Sequence, residues 1–212
     1  MSSRNCLPDH DRFRVYQRAD CIVFHKTKEE FGGLSNMASG FPLRINGVRV
    51  LTSEALYQAC RFPHLIEVQR EIVGQHSPMT AKMKSKPYRA QSRPDWDQLR
   101  AKIMRWCLRV KLAQNYDKFG RLLLATLDRP IVEQSSRDDY WGARVAGQET
   151  LIGENVLGRL LMELRERLRS DVDGALMVVE PLPIENFAFL GQPIEAVTPP
   201  PEMPLPQQSV LC

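Results

Sequence analysis

Two consecutive stretches decide the fold class: FPLRINGVRV, Phe41 to Val50, and TSEALYQACRF, Thr52 to Phe62. The first alternates apolar and polar residues around Asn46-Gly47, the dipeptide that best suits a two-residue type I′ hairpin. The second switches to a helical period. Thr52 or Ser53 can cap its start, and Pro63 ends or bends it. In that helix Glu54, Tyr57, Gln58 and Arg61 fall on one stripe, while Leu56, Ala59, Cys60 and Phe62 point elsewhere. An acid, an amide and a cation on one face fit either a solvated surface with an internal ion pair or the wall of a pocket.

Upstream lie a short β-like run, CIVFH (21–25), and the loop FGGLSNM, Phe31 to Met37. Adjacent glycines allow positive φ or a close approach to a ligand, and Ser35 and Asn36 add short donors and acceptors; an ordinary turn has the same composition. Downstream, helices dominate. LIEVQREIVG reads as helical, and Ser77-Pro78 fits a helix start. The segment RPDWDQLRAKIMRWCLRVKLAQN carries Asp95 and Gln98 in a capping-box arrangement, with Leu99, Ile103, Trp106, Val110 and Ala113 at core spacing. Trp96, in its first turn, suits a pocket rim. RPIVEQSSRDDYWGA reads as a strand running into a loop that groups Asp138, Asp139, Tyr140 and Trp141, a carboxylate and aromatic pairing suited to a flat base or sugar face. Leu157, Leu160, Leu161, Leu164 and Leu168 mark a last helix. Gly153 and Asn155 open it, and its free N–H groups could take a phosphate. The pattern is α+β and mainly α-helical, a small β-hairpin or sheet packed with several helices.

Three regions are expected: a mobile arm over 1–19, a catalytic-size domain over 20–169, and an acidic, Pro-rich tail over 170–212, extended or disordered, of a composition that suits a ligand for a partner domain. The tail holds eight of the fifteen prolines and six acids with no Lys or Arg, so the rest of the chain has 29 basic against 19 acidic residues. Nine of those cations lie between Lys82 and Arg109. Such a surface suits a phosphate-bearing ligand or a nucleic acid, although a solvated helix face explains about half of the charges equally well. The 212 residues suffice for a well-cored domain without disulfides. The five scattered cysteines, and the lack of an apolar run of membrane length or of a signal peptide, indicate a soluble cytoplasmic protein with reduced thiols and no membrane partner. The four histidines have no metal-ligand spacing, and neither GxxxxGK[ST] nor GxGxxG occurs, so no metal and no cofactor is expected.

Taken in order, GGLSNM, the Asn-Gly hairpin, TSEALYQACRF, SPMTAKM, DWDQLR with MRWCLRVKLAQN, LLLAT, IVEQSSRDDYWG and GENVLGRLLMELRERL resemble the NADAR (NAD- and ADP-ribose-associated) family of YbiA-like domains over about residues 22–169. The resemblance implies an N-glycosidase that acts on early phosphorylated riboflavin-pathway intermediates or, alternatively, removes ADP-ribose from guanine. A non-catalytic ADP-ribose or NAD-binding module and a nucleic-acid binder using the 82–109 stretch are the other classes. Matched by motif, Glu54 would be the catalytic carboxylate, and Asp138 would hold ribose hydroxyls or assist proton transfer. Trp96 and Trp141 would wall in the base. Arg61 and Asn155 would take phosphate oxygens, with Gln58 on the same substrate-facing stripe, and Ser35 and Asn36 would form a further wall. Many members carry lysine where this chain has Arg61 and arginine where it has Lys82. If the family mechanism uses a lysine amine, Lys82 is the matched candidate; otherwise it binds phosphate.

Overall fold

A computed structural model describes residues 12–199. The first strand, β1 (Arg14–Gln17), is followed by β2 (Ile22–Phe24) and by the hairpin β3 (Leu43–Ile45) and β4 (Val48–Val50). Asn46 and Gly47 both have positive φ, 46° and 78°, as a type I′ turn requires. Four helices come next: α1 (Ser53–Ala59), α2 (Ile66–Val73), α3 (Pro78–Ser85) and the long α4 (Trp96–Gln114). Then follow α5 (Tyr116–Leu124), β5 (Ile131–Glu133), β6 (Arg144–Val145), β7 (Thr150–Gly153), α6 (Val156–Arg169) and a small terminal hairpin, β8 (Ala188–Phe189) with β9 (Gln192–Pro193). This is the expected α+β, mainly helical architecture. No described helix is long and apolar enough to cross a membrane.

The sheets are small. β2 and β5 pair in parallel, with Phe24 opposite Glu133, and β1 and β6 flank β7 antiparallel. Parallel pairing of strands more than a hundred residues apart delivers both C-terminal ends to one place, and ligand crevices form outside such ends. The core lies around α4, whose Ile103, Trp106, Cys107 and Val110 are essentially inaccessible. The five leucines of α6 close it from one side and Leu56, Ala59, Cys60 and Phe62 from another.

Three expectations change. Residues 14–17, assigned to the mobile arm, form β1; Tyr16 alone among them packs inward, on Val132, Ala143 and Leu151, which is too little to leave a periodic signature. Residues 1–11 and 200–212, the outer parts of the arm and tail, lie outside the described residues. From 170 to 199 the tail is extended for the most part but packed, with Leu176, Val179, Phe187, Phe189, Ile194 and Val197 buried. Val179 and Val197 pair across it, the Trp106 indole donates to the Glu180 carbonyl at 3.0 Å, and Arg93 donates to the Glu185 carbonyl at 2.7 Å. Proline excludes long ladders, not burial, so composition alone reads this strap as tail. Finally, Asp95 does not cap α4 through its side chain; that carboxylate pairs with Arg93, and only the Asp95 backbone carbonyl receives the N–H groups of Gln98 and Leu99.

Candidate active site

The Thr52 hydroxyl caps α1 by accepting the Ala55 N–H at 3.3 Å, which sets the helix so that Glu54, Tyr57 and Gln58, with Arg61 just beyond its end, face a cavity of about 510 Å³. Lys82 of α3, Arg89, Trp96 and Arg100 of α4, and Glu133, Asp138 and Trp141 close the other walls. Glu54 and both indoles therefore meet around one space. Glu54 is buried, and each of its oxygens accepts an amide N–H at 2.9 Å, one from Asn36 and one from Gln58. The oxygens of those two amides, Asn36 Oδ1 and Gln58 Oε1, are buried with no hydrogen-bond partner among the described residues. Buried acceptors left open in this way are costly unless a ligand fills them.

The FGGLSNM loop places Asn36. Its glycines have no positive φ and do not line the cavity. A side chain on Gly32 would strike the backbone at Lys26 and Thr27, and one on Gly33 would meet Leu122 and Phe41, so both allow the loop to pack on the protein itself. The Asn36 carbonyl accepts from the Glu54 N–H and the Ser53 hydroxyl, tying loop to helix. Beneath, the wholly buried Lys111 donates to the carbonyls of Gly33 (2.6 Å) and Ser35 (3.0 Å) between the rings of Phe41 and Phe119. Burial without a carboxylate partner pushes its pKa down to about 7. Lys111 was missed in the sequence because it reads as one more cation on a basic helix. Ser35, expected in the wall, is buried away from the cavity and turns its hydroxyl to the Met37 N–H.

Asn155 is also displaced from its expected role. It is fully buried with φ 49°, donating to the Ile131 carbonyl at 2.8 Å and accepting from the Glu133 N–H at 3.1 Å. Nor are the N–H groups that open α6 available to phosphate. Those of Glu154, Asn155, Val156 and Leu157 are taken by the carbonyls of Asp139, Gly142, Tyr140 and Trp141. The helix start thus clamps the DDYWG loop, which is braced further by Asp138 Oδ1 accepting from the N–H groups of Tyr140 and Trp141. Asp139 faces Arg144, at 3.0 Å.

Tyr57 is wedged between Trp96 and Trp141, with ring centroids 5.0 and 5.6 Å away, so the three rings make one aromatic wall. Arg61 stacks on Trp96 at 4.9 Å and donates to the Ser92 hydroxyl, and Arg100 lies over Tyr140 at 3.7 Å. Burial, then the adjacent Arg89, lowers the Arg61 pKa against an opposing effect of Asp97: three cations crowd this rim with one exposed carboxylate among them, a net positive charge suited to an anion. The remaining cations of the 82–109 stretch scatter. Lys84 pairs with Glu71, Arg93 turns inward, and Arg105 pairs with Glu163.

The second residue missed in the sequence is Glu133. It ends β5 inside an apolar strand pattern, and nothing local marks it as functional. Burial first, then the nearby Glu54 and Asp138, push its pKa up to about 7, against an opposing effect of Lys82. The cavity thus combines four carboxylates, Glu54, Asp97, Glu133 and Asp138, with an aromatic wall and a cationic rim. Among the described residues no group of His, Cys, Asp and Glu is arranged to hold a metal ion.

Comparison with known proteins agrees with this architecture. The chain is 37% identical over 148 residues to N-glycosidase YbiA of Escherichia coli (strain K12), covering 69% of this chain and 88% of that protein. It is 33% identical over 150 residues to a riboflavin biosynthesis protein of Vibrio vulnificus, covering 70% of this chain and 38% of the longer relative. The NMR structure of E. coli YbiA superposes with a TM-score of 0.62 at 35% identity, over 72% of this chain and 87% of that one. The NADAR domain model matches residues 23–169, the span that carries every wall of the cavity, and the chain belongs to the NADAR domain family.

Proposed function

We propose that this chain is an N-glycosidase that hydrolyses the bond between a ribose phosphate and a base-like amine, as in the early phosphorylated intermediates of riboflavin biosynthesis. The observation that carries the reading is the pair of open amide oxygens beside Glu54, which offer ribose hydroxyls the acceptors they need. Cleavage builds oxocarbenium character at the anomeric carbon, and a carboxylate held by two N–H donors is suited to stabilise it or to activate the attacking water. Arg61, Arg89 and Arg100 take the phosphate, Trp96 and Trp141 wall in the base, and the outer oxygen of Asp138 takes a ribose hydroxyl. Lys82, half-buried and facing the carboxylates, either attacks the opened sugar or binds phosphate; borohydride trapping of an adduct in the parent but not in Lys82→Ala distinguishes the two. The names of the YbiA and Vibrio relatives support both the reaction and the pathway.

A second reading, removal of ADP-ribose from guanine, is favoured by a neighbouring cavity of about 520 Å³ that shares His25, Gln134, Ser135 and Ser136 with the first and continues past Arg144, Phe13 and Val145. This is room for a second nucleotide, and a nucleic acid carrying the modified base would be the partner. The unbonded, buried Cys60 and Cys107 support a reducing, cytoplasmic setting. Incubating the pure protein separately with the phosphorylated riboflavin intermediates and with ADP-ribosylated guanosine, and following the freed base by chromatography, tests both readings; binding of ADP-ribose with no base released from either would overturn them in favour of a binding module.

A further inference from the structure

An amine leaves an anomeric carbon poorly unless it is protonated as the bond breaks, so an N-glycosidase of the kind proposed above needs an acid next to the leaving nitrogen. Most of the candidates facing the cavity are otherwise engaged or, like Asp97 in the first turn of α4, exposed to solvent near Arg61. Both Glu54 oxygens accept amide N–H groups, and Asp138 Oδ1 anchors the backbone of Tyr140 and Trp141. His25 is exposed and its Nδ1 bonds the Gln134 carbonyl, and the Tyr57 phenol, its pKa raised by burial, is too weak an acid. Glu133 is different. Its backbone is held on both sides, the N–H by Asn155 Oδ1 at 3.1 Å and the carbonyl by the Ala143 N–H at 2.8 Å, while its carboxyl group enters the cavity with no hydrogen bond or ion pair among the described residues. A rigid carrier with an unengaged acid is the arrangement proton delivery needs.

We infer that Glu133 is the general acid that protonates the departing nitrogen. This rests on the N-glycosidase reading. The Glu133 carboxyl proton passes to the nitrogen as the electron pair of the carbon–nitrogen bond moves onto it; water oxygen then bonds to the anomeric carbon, and its surplus proton goes to Glu54. Glu54 returns that proton to solvent and Glu133 regains one, so the net change is addition of water across the bond. The surroundings keep the acid loaded near neutrality: Glu54 from α1 and Asp138 from the loop oppose its ionisation, only Lys82 from α3 favours it, and α6 presents the apolar Leu157.

The test compares Glu133→Gln with the parent on two compounds that share the ribose phosphate: a phosphorylated ribosylaminopyrimidine, which needs the proton, and 4-nitrophenyl ribose 5-phosphate, whose nitrophenolate leaves without one. The expected result is a kcat loss of about 10²–10⁴-fold on the first and less than about tenfold on the second. In addition, the parent's kcat on the amine substrate declines above about pH 7, and the variant, slower throughout, shows no such decline. Equal losses on both compounds, no loss on the amine, or a parent profile flat through pH 9 would overturn the assignment. If the parent turns over only the amine compound, the two pH profiles decide. Should Glu133→Gln not fold, judged by circular dichroism, Glu133→Asp replaces it, expected to keep a measurable rate with a displaced pH limb. A parent that frees base from no N-riboside, ADP-ribosylguanosine included, removes the N-glycosidase reading and this one with it.

Discussion

Glu54 and Glu133 reach the same cavity under opposite conditions, one wrapped by amides and the other bare, and both can be tested singly. Glu54→Gln should lower kcat by about two to four powers of ten with little change in unfolding temperature, read by base release and by calorimetry. Glu133 makes a separate prediction for stability. With its folded pKa near 7 against an ordinary value of 4.5, the folded state keeps a proton that the unfolded chain gives up in between. The stability it contributes is full below about pH 4.5 and drains away as pH rises through 7. Glu133→Gln should therefore match the parent near pH 4 in urea denaturation and exceed it above pH 8 by on the order of 3 kcal/mol. The Glu54 stripe was legible in the sequence because its members are spaced within one helix. Glu133 was not, because what singles it out is the convergence of Glu54 and Lys82 from two distant helices with Asp138 of the adjoining loop.

At the scale of elements, the junction of β5, the DDYWG loop and α6 is the frame on which one side of the cavity is hung. Gly158 of α6 lies so close to the Ile131 carbonyl and the Asn155 side chain that a methyl group would collide with both. Asn155→Ala removes two buried hydrogen bonds and leaves a residue ill-suited to positive φ, at a cost of about 2–4 kcal/mol. Thermal unfolding should register that loss, while KM for the phosphorylated substrate stays within about twofold of the parent; Arg61→Ala should do the reverse, raising KM with little loss of stability. The hairpin, and α1, α4 and α6 with their core faces, could be read from period and turn chemistry. The role of Asn155 could not. A helix-opening asparagine looks the same in sequence whether it faces an anion or reaches back to a strand twenty-four residues earlier.

The whole molecule is more than its family domain. The strap of residues 171–199 lies beyond the matched span of 23–169, yet it buries six large apolar side chains and accepts the indole N–H of Trp106 from the middle of α4. Each such side chain is worth about 1.5–3 kcal/mol when fully buried, so a chain ending at Ser170 should lose at least about 10 °C in unfolding temperature or aggregate, as light scattering would show. The consequence reaches back to synthesis. While residues beyond 170 are still inside the ribosome, the face of Trp106 that meets Phe187 is bare, and β1 and β7 have been apart for well over a hundred codons. That face is covered only once the strap through Phe187 has emerged, and until then the nascent chain carries an exposed apolar surface.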